Sequence, residues 1–353
     1  MKYLAAIAAG AIGLAGAYAG TVLLLEAQFP QHLPAPSITR IKHLDEKLLY
    51  LRERGPVEPA LLAVGSSITW RQMDGDAFAE LAGGADRVFN GATAFLQAHQ
   101  TRFLTEFYLD HFSGVETVLV MVALPDFSDC TGIDSVLMDT ADAVSYAFEG
   151  KDDLGFYFKY FTPLMYLKRG ISMAEQRQPL TGEVYLDEYG SSPIDLLPGT
   201  TPSLRYGELP VDDACIAELA KLSAEIDGMG KEMALVFAPV HPAYWESFPA
   251  AREAWRAVAE RITEAVAPHG TRVLDLAESP AFKAEDFFDA FHLRWPSVAR
   301  FSTMTADWMR DRHHIARAPA ERPTGMPATA KDQPRRRPPG VPASGAFRRT
   351  SVE

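Results

Sequence analysis

The sequence predicts an α/β fold: a three-layer α/β/α arrangement around a mostly parallel sheet, preceded by one N-terminal transmembrane helix. Three observations predict it. Five short, strongly apolar runs recur along the chain, segments of helical period separate them, and the first 25 residues carry a single charged side chain, Lys2. Runs this apolar suit strands buried on both faces, and strands alternating with helices read as βαβ units.

Composition narrows the class further. A chain of 353 residues allows one large or two modest domains at roughly 100–200 residues each. With 47% apolar and 23% charged residues it reads as globular, which excludes wholesale disorder, collagen and coiled coil. The 34 Lys and Arg against 46 Asp and Glu give a net charge of −12. From Arg312 onward basic residues outnumber acidic ones, nine to three, so the remainder is more acidic still. Such a body repels phosphate backbones, and nucleic acid is not expected as a partner.

The N-terminal run from Tyr3 to Leu25 has no charge, and at ~1.5 Å per residue it is long enough to cross a ~30 Å hydrocarbon core. Residues 4–25 are therefore expected in a membrane, with 1–25 acting as anchor or signal segment. Ala17-Tyr18-Ala19 before Gly20 fits signal cleavage. The apolar run continues through Val22-Leu23-Leu24-Leu25, which favours an uncleaved anchor. Either reading exports the rest of the chain, so a membrane-anchored protein with its main domain outside the cytoplasm, periplasmic or extracellular, is expected. Residues 26–58 read as a linker with a short amphipathic segment at 41–49.

The main domain is expected over 59–315. Its strand candidates are 60–64, 87–90, 117–124, 233–238 and 272–276. Helical periods run over 94–112, from an Asp212 N-cap to Gly228, over 249–266 with Trp255, Val258, Ala259, Ile262 and Val266 on one face, and onward from Pro296. The stretch 128–210 interrupts the alternation. It is rich in aromatics and reads either as an insertion over the C-terminal edge of the sheet or as a small second core. Residues 316–353, rich in Pro and Arg, are expected to be disordered. Cys130 and Cys215 match no metal or redox spacing; as two buried apolar side chains or as a pair, they leave both readings open, the first preferred.

A strand running straight into Gly65-Ser66-Ser67 places a serine where open α/β sheets bind ligands. Such a hydroxyl is a candidate nucleophile, although Gly-Ser-Ser is also a common loop tripeptide. A serine nucleophile needs a base, and the base an orienting carboxylate. Asp289-Ala290-Phe291-His292 offers both three residues apart, unless they are a surface acid and a capping histidine. His241 ends another strand candidate and reads as a pocket residue or a structural histidine. Asn90 and Asp126 are candidate pocket residues that equally suit caps and turns. Trp70 is assigned to packing. There is no Walker loop, GxGxxG, HExxH or EF-hand pattern, and neither a metal nor another cofactor is expected.

Together, Val64-Gly65-Ser66-Ser67-Ile68-Thr69 near the start of the domain and Asp289-Ala290-Phe291-His292 near its end resemble the SGNH, or GDSL-type, hydrolase family. The resemblance covers about 60–127 and 212–312. It implies a three-layer flavodoxin-like fold and a serine esterase or O-acyltransferase, with Ser67 as nucleophile, His292 as general base and Asp289 holding its tautomer. It also implies an oxyanion hole from the N–H groups of Ser67 and Gly91, the latter in Phe89-Asn90-Gly91-Ala92-Thr93. Two positions depart from the family pattern. Ser66 replaces the usual Asp, and Pro125 replaces the Asn that donates to the oxyanion. The Gly-Ser-Ser form resembles a membrane-anchored subgroup acting in envelope O-acylation. That implies an acylated envelope glycan or related ester as substrate and a membrane-bound acyltransferase as possible partner. A catalytically degenerate protein binding either of these is the alternative.

Overall fold

A computed structural model describes residues 2–29, 32–39, 41–150, 154–175, 184–194 and 206–316. Its centre is a five-stranded sheet, all parallel, in the order β2-β1-β3-β4-β5, with β1 Leu61–Val64, β2 Val88–Asn90, β3 Thr117–Val122, β4 Glu232–Phe237 and β5 Arg272–Asp275. The five strand candidates thus fall on the five strands. All four residues of β1, all three of β2 and the last five of β3 and of β4 are buried, as continuous apolar runs require. β5 departs from that expectation: it is an edge strand, partly exposed along its length.

The helices are α1 Lys2–Gln28, α2 Lys42–Arg54, α3 Ser67–Arg71, α4 Asp76–Ala82, α5 Ala98–Leu109, α6 Thr140–Ala147, α7 Leu154–Lys159, α8 Pro163–Glu175, α9 Asp213–Gly228, α10 Pro242–Ser247, α11 Pro249–Val266 and α12 Ser297–Ala316. The chain steps from β1 to β2 in one direction, then crosses back through β3, β4 and β5. Right-handed crossovers therefore place the β1–β2 connection on one face and α5, α9 and α11 on the other. Those three helices do pack side by side. On the opposite face α4 meets α12, where Arg310 pairs with Glu80 at 3.3 Å. The α9 N-cap is Asp212, whose side chain accepts from Ala214 N–H at 2.9 Å. Trp255, Val258, Ala259, Ile262 and Val266 form the buried face of α11. α5 begins later than expected, because residues 91–97 form a loop beside the C-terminal edge of the sheet.

The amphipathic segment at 41–49 lies in α2, whose Leu44, Leu48 and Leu51 are buried in the main core. Lys47 is buried too, its Nζ donating to the carbonyls of Asn90, at 2.6 Å, and Gly190. One expectation is corrected: the preferred reading of the cysteines as two separate apolar side chains gives way to the other, since Cys130 and Cys215 form a disulfide that ties the start of the insertion to α9.

The described residues of 128–210 pack in several places. Tyr146, Phe156 and Tyr189 join the main core, and Ile194 with Tyr206 reaches the C-terminal edge of the sheet. Tyr157 and Tyr166 make a small separate core with Val22 of α1. The expected disorder of 316–353 concerns residues that, after Ala316, lie outside those described.

α1 is long and apolar enough to cross a membrane, and almost all of it stands clear of the rest of the chain.

Candidate functional site

The strand order changes direction between β1 and β3, and open α/β sheets form a crevice at such a switch point, beyond the strands' C-terminal ends. Ser67 lies there. β1 turns into α3 at Gly65, whose φ of +145° suits glycine; a Cβ at this position would stand 2.4 Å from Thr69 Oγ1. That hydroxyl lies 3.0 Å from Val64 O and 2.8 Å from Met121 O, and accepts from Met121 N–H at 3.1 Å. It fastens the short helix to the ends of β1 and β3. Ser66 caps the helix by accepting from Ile68 N–H at 3.1 Å, so Ser67 becomes its first residue.

The Asp289–His292 turn approaches from the other side. Asp289 Oδ1 accepts from the N–H groups of Phe291 at 2.8 Å and His292 at 2.9 Å. The His292 ring places Nδ1 2.9 Å from both carboxylate oxygens and Nε2 2.9 Å from Ser67 Oγ. Tyr206 donates to Asp289 Oδ2 at 3.4 Å. Burial raises the Asp289 pKa, but hydrogen bonds and charge from the His292 ring, with the two backbone N–H groups, outweigh it and hold the carboxyl below its ordinary value. Its ionised form thus fixes the imidazole with a proton on Nδ1. An imidazole so held, with Nε2 against a hydroxyl, is able to take the hydroxyl proton as that oxygen bonds to carbon.

A pocket of about 480 Å³ opens over this line, walled by Arg71, Phe95, Gln97, Pro125 and Tyr206 among others. Arg71 stacks its guanidinium over Trp70 at 4.4 Å, and burial lowers its pKa. Trp70 itself is fully buried, as its assignment to packing expects.

Of the remaining sequence candidates, Asp126 lines the pocket, and Gly91, Asn90 and His241 do not. Gly91 lies outside the pocket wall. Its N–H donates to Ala63 O at 2.8 Å, and a Cβ on it would strike the Tyr108 ring at 2.4 Å. Ala94, Phe95 and Leu96 line the pocket, and their N–H groups have no partner among the described residues; Phe95 has a φ of +66°. The Ser67 N–H, in the first turn of α3, is likewise uncommitted. Asn90 is fully buried: Nδ2 donates to Thr69 O at 3.1 Å and Ser191 Oγ at 3.0 Å, and Oδ1 accepts from Ala92 N–H at 3.1 Å. It joins α3 to the insertion and does not line the pocket. His241 caps α10, its Nδ1 accepting from Ala243 N–H at 3.0 Å, and its ring packs on Phe287; it is not among the residues that line the pocket. Asp126 does line the pocket. Its Oδ2 accepts from Ala123 N–H at 2.9 Å, and burial pushes its carboxyl up to about 7 against the opposing hydrogen bonds from Ser66 and Ala123. Pro125 has no N–H. The carboxamide that reaches it is that of Gln97, whose Nε2 donates to Pro125 O at 3.0 Å.

Three residues escaped the sequence reading: Gln72, Gln97 and Tyr206. Gln72 Nε2 donates to Phe291 O, and its Oε1 accepts from Leu293 N–H, both at 3.0 Å. None belongs to a short motif, and their positions follow from chain crossings over a hundred residues apart or from loops. Among the described residues no cluster of His, Cys, Asp and Glu is arranged to hold a metal ion.

No family model, curated protein or solved structure matches the chain.

Proposed function

We propose that the chain is a membrane-anchored, exported serine esterase or O-acyltransferase of SGNH type, acting on an acylated envelope glycan or a related ester. The observation that carries this reading is the unbroken hydrogen-bonded line Asp289–His292–Ser67 in a pocket at the switch point of the sheet. Ser67 Oγ bonds to the ester carbonyl carbon while its proton passes to His292 Nε2. The tetrahedral oxyanion is received by the N–H of Ser67 and by the amides of the 94–96 turn, which replace Gly91 in that role. As the intermediate collapses, the leaving alcohol takes the proton from His292, and an acyl-Ser67 remains. Water or a sugar hydroxyl, deprotonated by His292, then attacks the acyl carbon and frees Ser67. Asp289 stays ionised throughout and compensates the imidazolium.

Export is supported by two independent features. α1 is an apolar helix of membrane-spanning length, and disulfides such as Cys130–Cys215 persist in oxidising compartments. A membrane-bound acyltransferase would then supply the acyl group from the other side.

A second reading, a catalytically degenerate protein that binds an envelope glycan or an acyltransferase, is favoured by Pro125, which lacks the donor usual at that position. Hydrolysis of a chromogenic acetate ester by the full chain in detergent separates the two. The enzyme reading expects Ser67→Ala and His292→Ala each to lower the rate by about 10³-fold or more. A wild-type rate no higher than that of Ser67→Ala favours the binding protein.

A further inference from the structure

We infer that α7 and α8 form a second membrane contact, an apolar face that lies in the bilayer interface beside α1. The inference rests on reading α1 as a membrane span. Phe158, Phe161, Leu164, Leu167 and Ile171 recur at spacings of three and four residues, and all are exposed, Leu164 by 82% and Leu167 by 62%. The opposite side of the pair is occupied. Tyr157, Tyr166 and Arg169 are buried, with Tyr157 donating to Pro34 O at 2.6 Å and Arg169 paired to Asp45 at 3.0 Å. A solvent-facing helix normally sets polar residues opposite its buried side; this one presents large apolar side chains on its outer side instead, and a contiguous patch of that kind marks an interaction surface.

α1 identifies the occupant as lipid. Tyr18 packs its ring 4.7 Å from Phe161 and 6.0 Å from Phe158, and its hydroxyl donates to Tyr157 O at 2.9 Å. One turn on, Val22 is buried against Tyr157 and Tyr166. A span of about 20 residues is needed to cross the hydrocarbon core, and counted from Tyr3 it ends at Val22. The last turns of the span are therefore the turns that hold α7 and α8. On the side of α1 away from that contact Leu23 and Leu24 are still exposed, by 48% and 56%, so the apolar layer must reach at least to their level. Phe158 and Phe161, the first two residues of the exposed stripe, lie against Tyr18 at this end of the span. Tyr18 supplies an aromatic ring of the kind enriched at membrane interfaces, and Lys168 is exposed on α8, a residue type whose ammonium snorkels to headgroups from such positions. The consequence is orientation: the domain is held by two contacts and cannot swivel freely about α1, which fixes the direction in which its pocket faces relative to the membrane.

The test uses the full chain in phosphatidylcholine–phosphatidylglycerol vesicles, labelled with the environment-sensitive fluorophore NBD at one introduced thiol. Ile12→Cys reports the span, Leu167→Cys the proposed face, and Glu264→Cys, on exposed α11 surface, is the aqueous control. The two native cysteines are bonded to each other and do not take the label. The inference expects a blue-shifted emission at 167, a several-fold loss of iodide quenching relative to 264, and strong quenching by nitroxides near the lipid headgroup. Ile12→Cys should be quenched best by nitroxides deep in the acyl chains. If position 12 lies in the bilayer while 167 matches the aqueous control, the interfacial face is refuted and the anchor stands. If both positions are open to iodide, the anchor reading fails and the inference fails with it.

Discussion

Gln72 grips the backbone on both sides of His292, donating to Phe291 O and accepting from Leu293 N–H, each at 3.0 Å. Gln72 comes directly after α3, so the helix that begins with Ser67 and the turn that carries His292 are tied by one carboxamide. Gln72→Met has similar bulk and removes both bonds. We expect kcat for ester hydrolysis to fall by about 10²-fold, as for a misplacement of roughly 1 Å, with KM little changed. A folded variant with unaltered kcat would reduce Gln72 to a purely structural role.

His241 serves as the opposite case. It caps α10 and stays out of the pocket. His241→Ala should lower stability by about 1 kcal/mol, the usual cost of a lost N-cap, while hydrolysis per folded molecule stays within about twofold of wild type. A far larger loss of kcat at full folding would return His241 to the reacting groups.

The disulfide joins positions separated by 85 residues and encloses nearly the whole insertion. Closing so long a loop restricts the unfolded chain, and reduction should therefore cost about 2–4 kcal/mol. Urea unfolding with and without reductant measures it. Two free thiols in the unfolded, unreduced protein would contradict the bond.

Asp126 makes stability depend on pH. Its folded pKa, about 7, lies above the ordinary 3.8 because the carboxyl is buried. A group raised in the folded state contributes fully below the unfolded value, and that contribution is lost as pH rises to the folded one. Asp126→Asn removes this dependence and leaves an acceptor for Ala123 N–H. The melting temperature of the variant minus that of wild type should therefore grow from about pH 4 to about pH 7 and then level off. A difference that is flat across this range would show that Asp126 does not titrate there.

Much of the fold was legible because its signals are local. Buried parallel strands announce themselves as unbroken apolar runs, and the Asp212 cap and the α11 stripe follow helical spacing. α2 was harder: Asp45 and Lys47 look like a solvated face, and only the Arg169 pair and the carbonyls of Asn90 and Gly190 explain their burial. In the site, the strand-end position of Ser67 and the three-residue step from Asp289 to His292 were legible as candidates, each beside a structural alternative. The state of an amide is not. Whether Gly91 N–H is free depends on Ala63, and the turn at Phe95 leaves no mark in composition. Likewise Asn90 and His241 are residue types that serve pockets and caps alike, and only their partners distinguish the two.

The most direct measurement is the reaction of the full chain with a fluorophosphonate, followed by mapping of the adduct by mass spectrometry. The account predicts a single phosphonylated serine, Ser67, formed rapidly in wild type and slowed by about 10³-fold or more in His292→Ala. A folded wild-type protein that forms no adduct at Ser67, or one that His292→Ala labels equally fast, would contradict it.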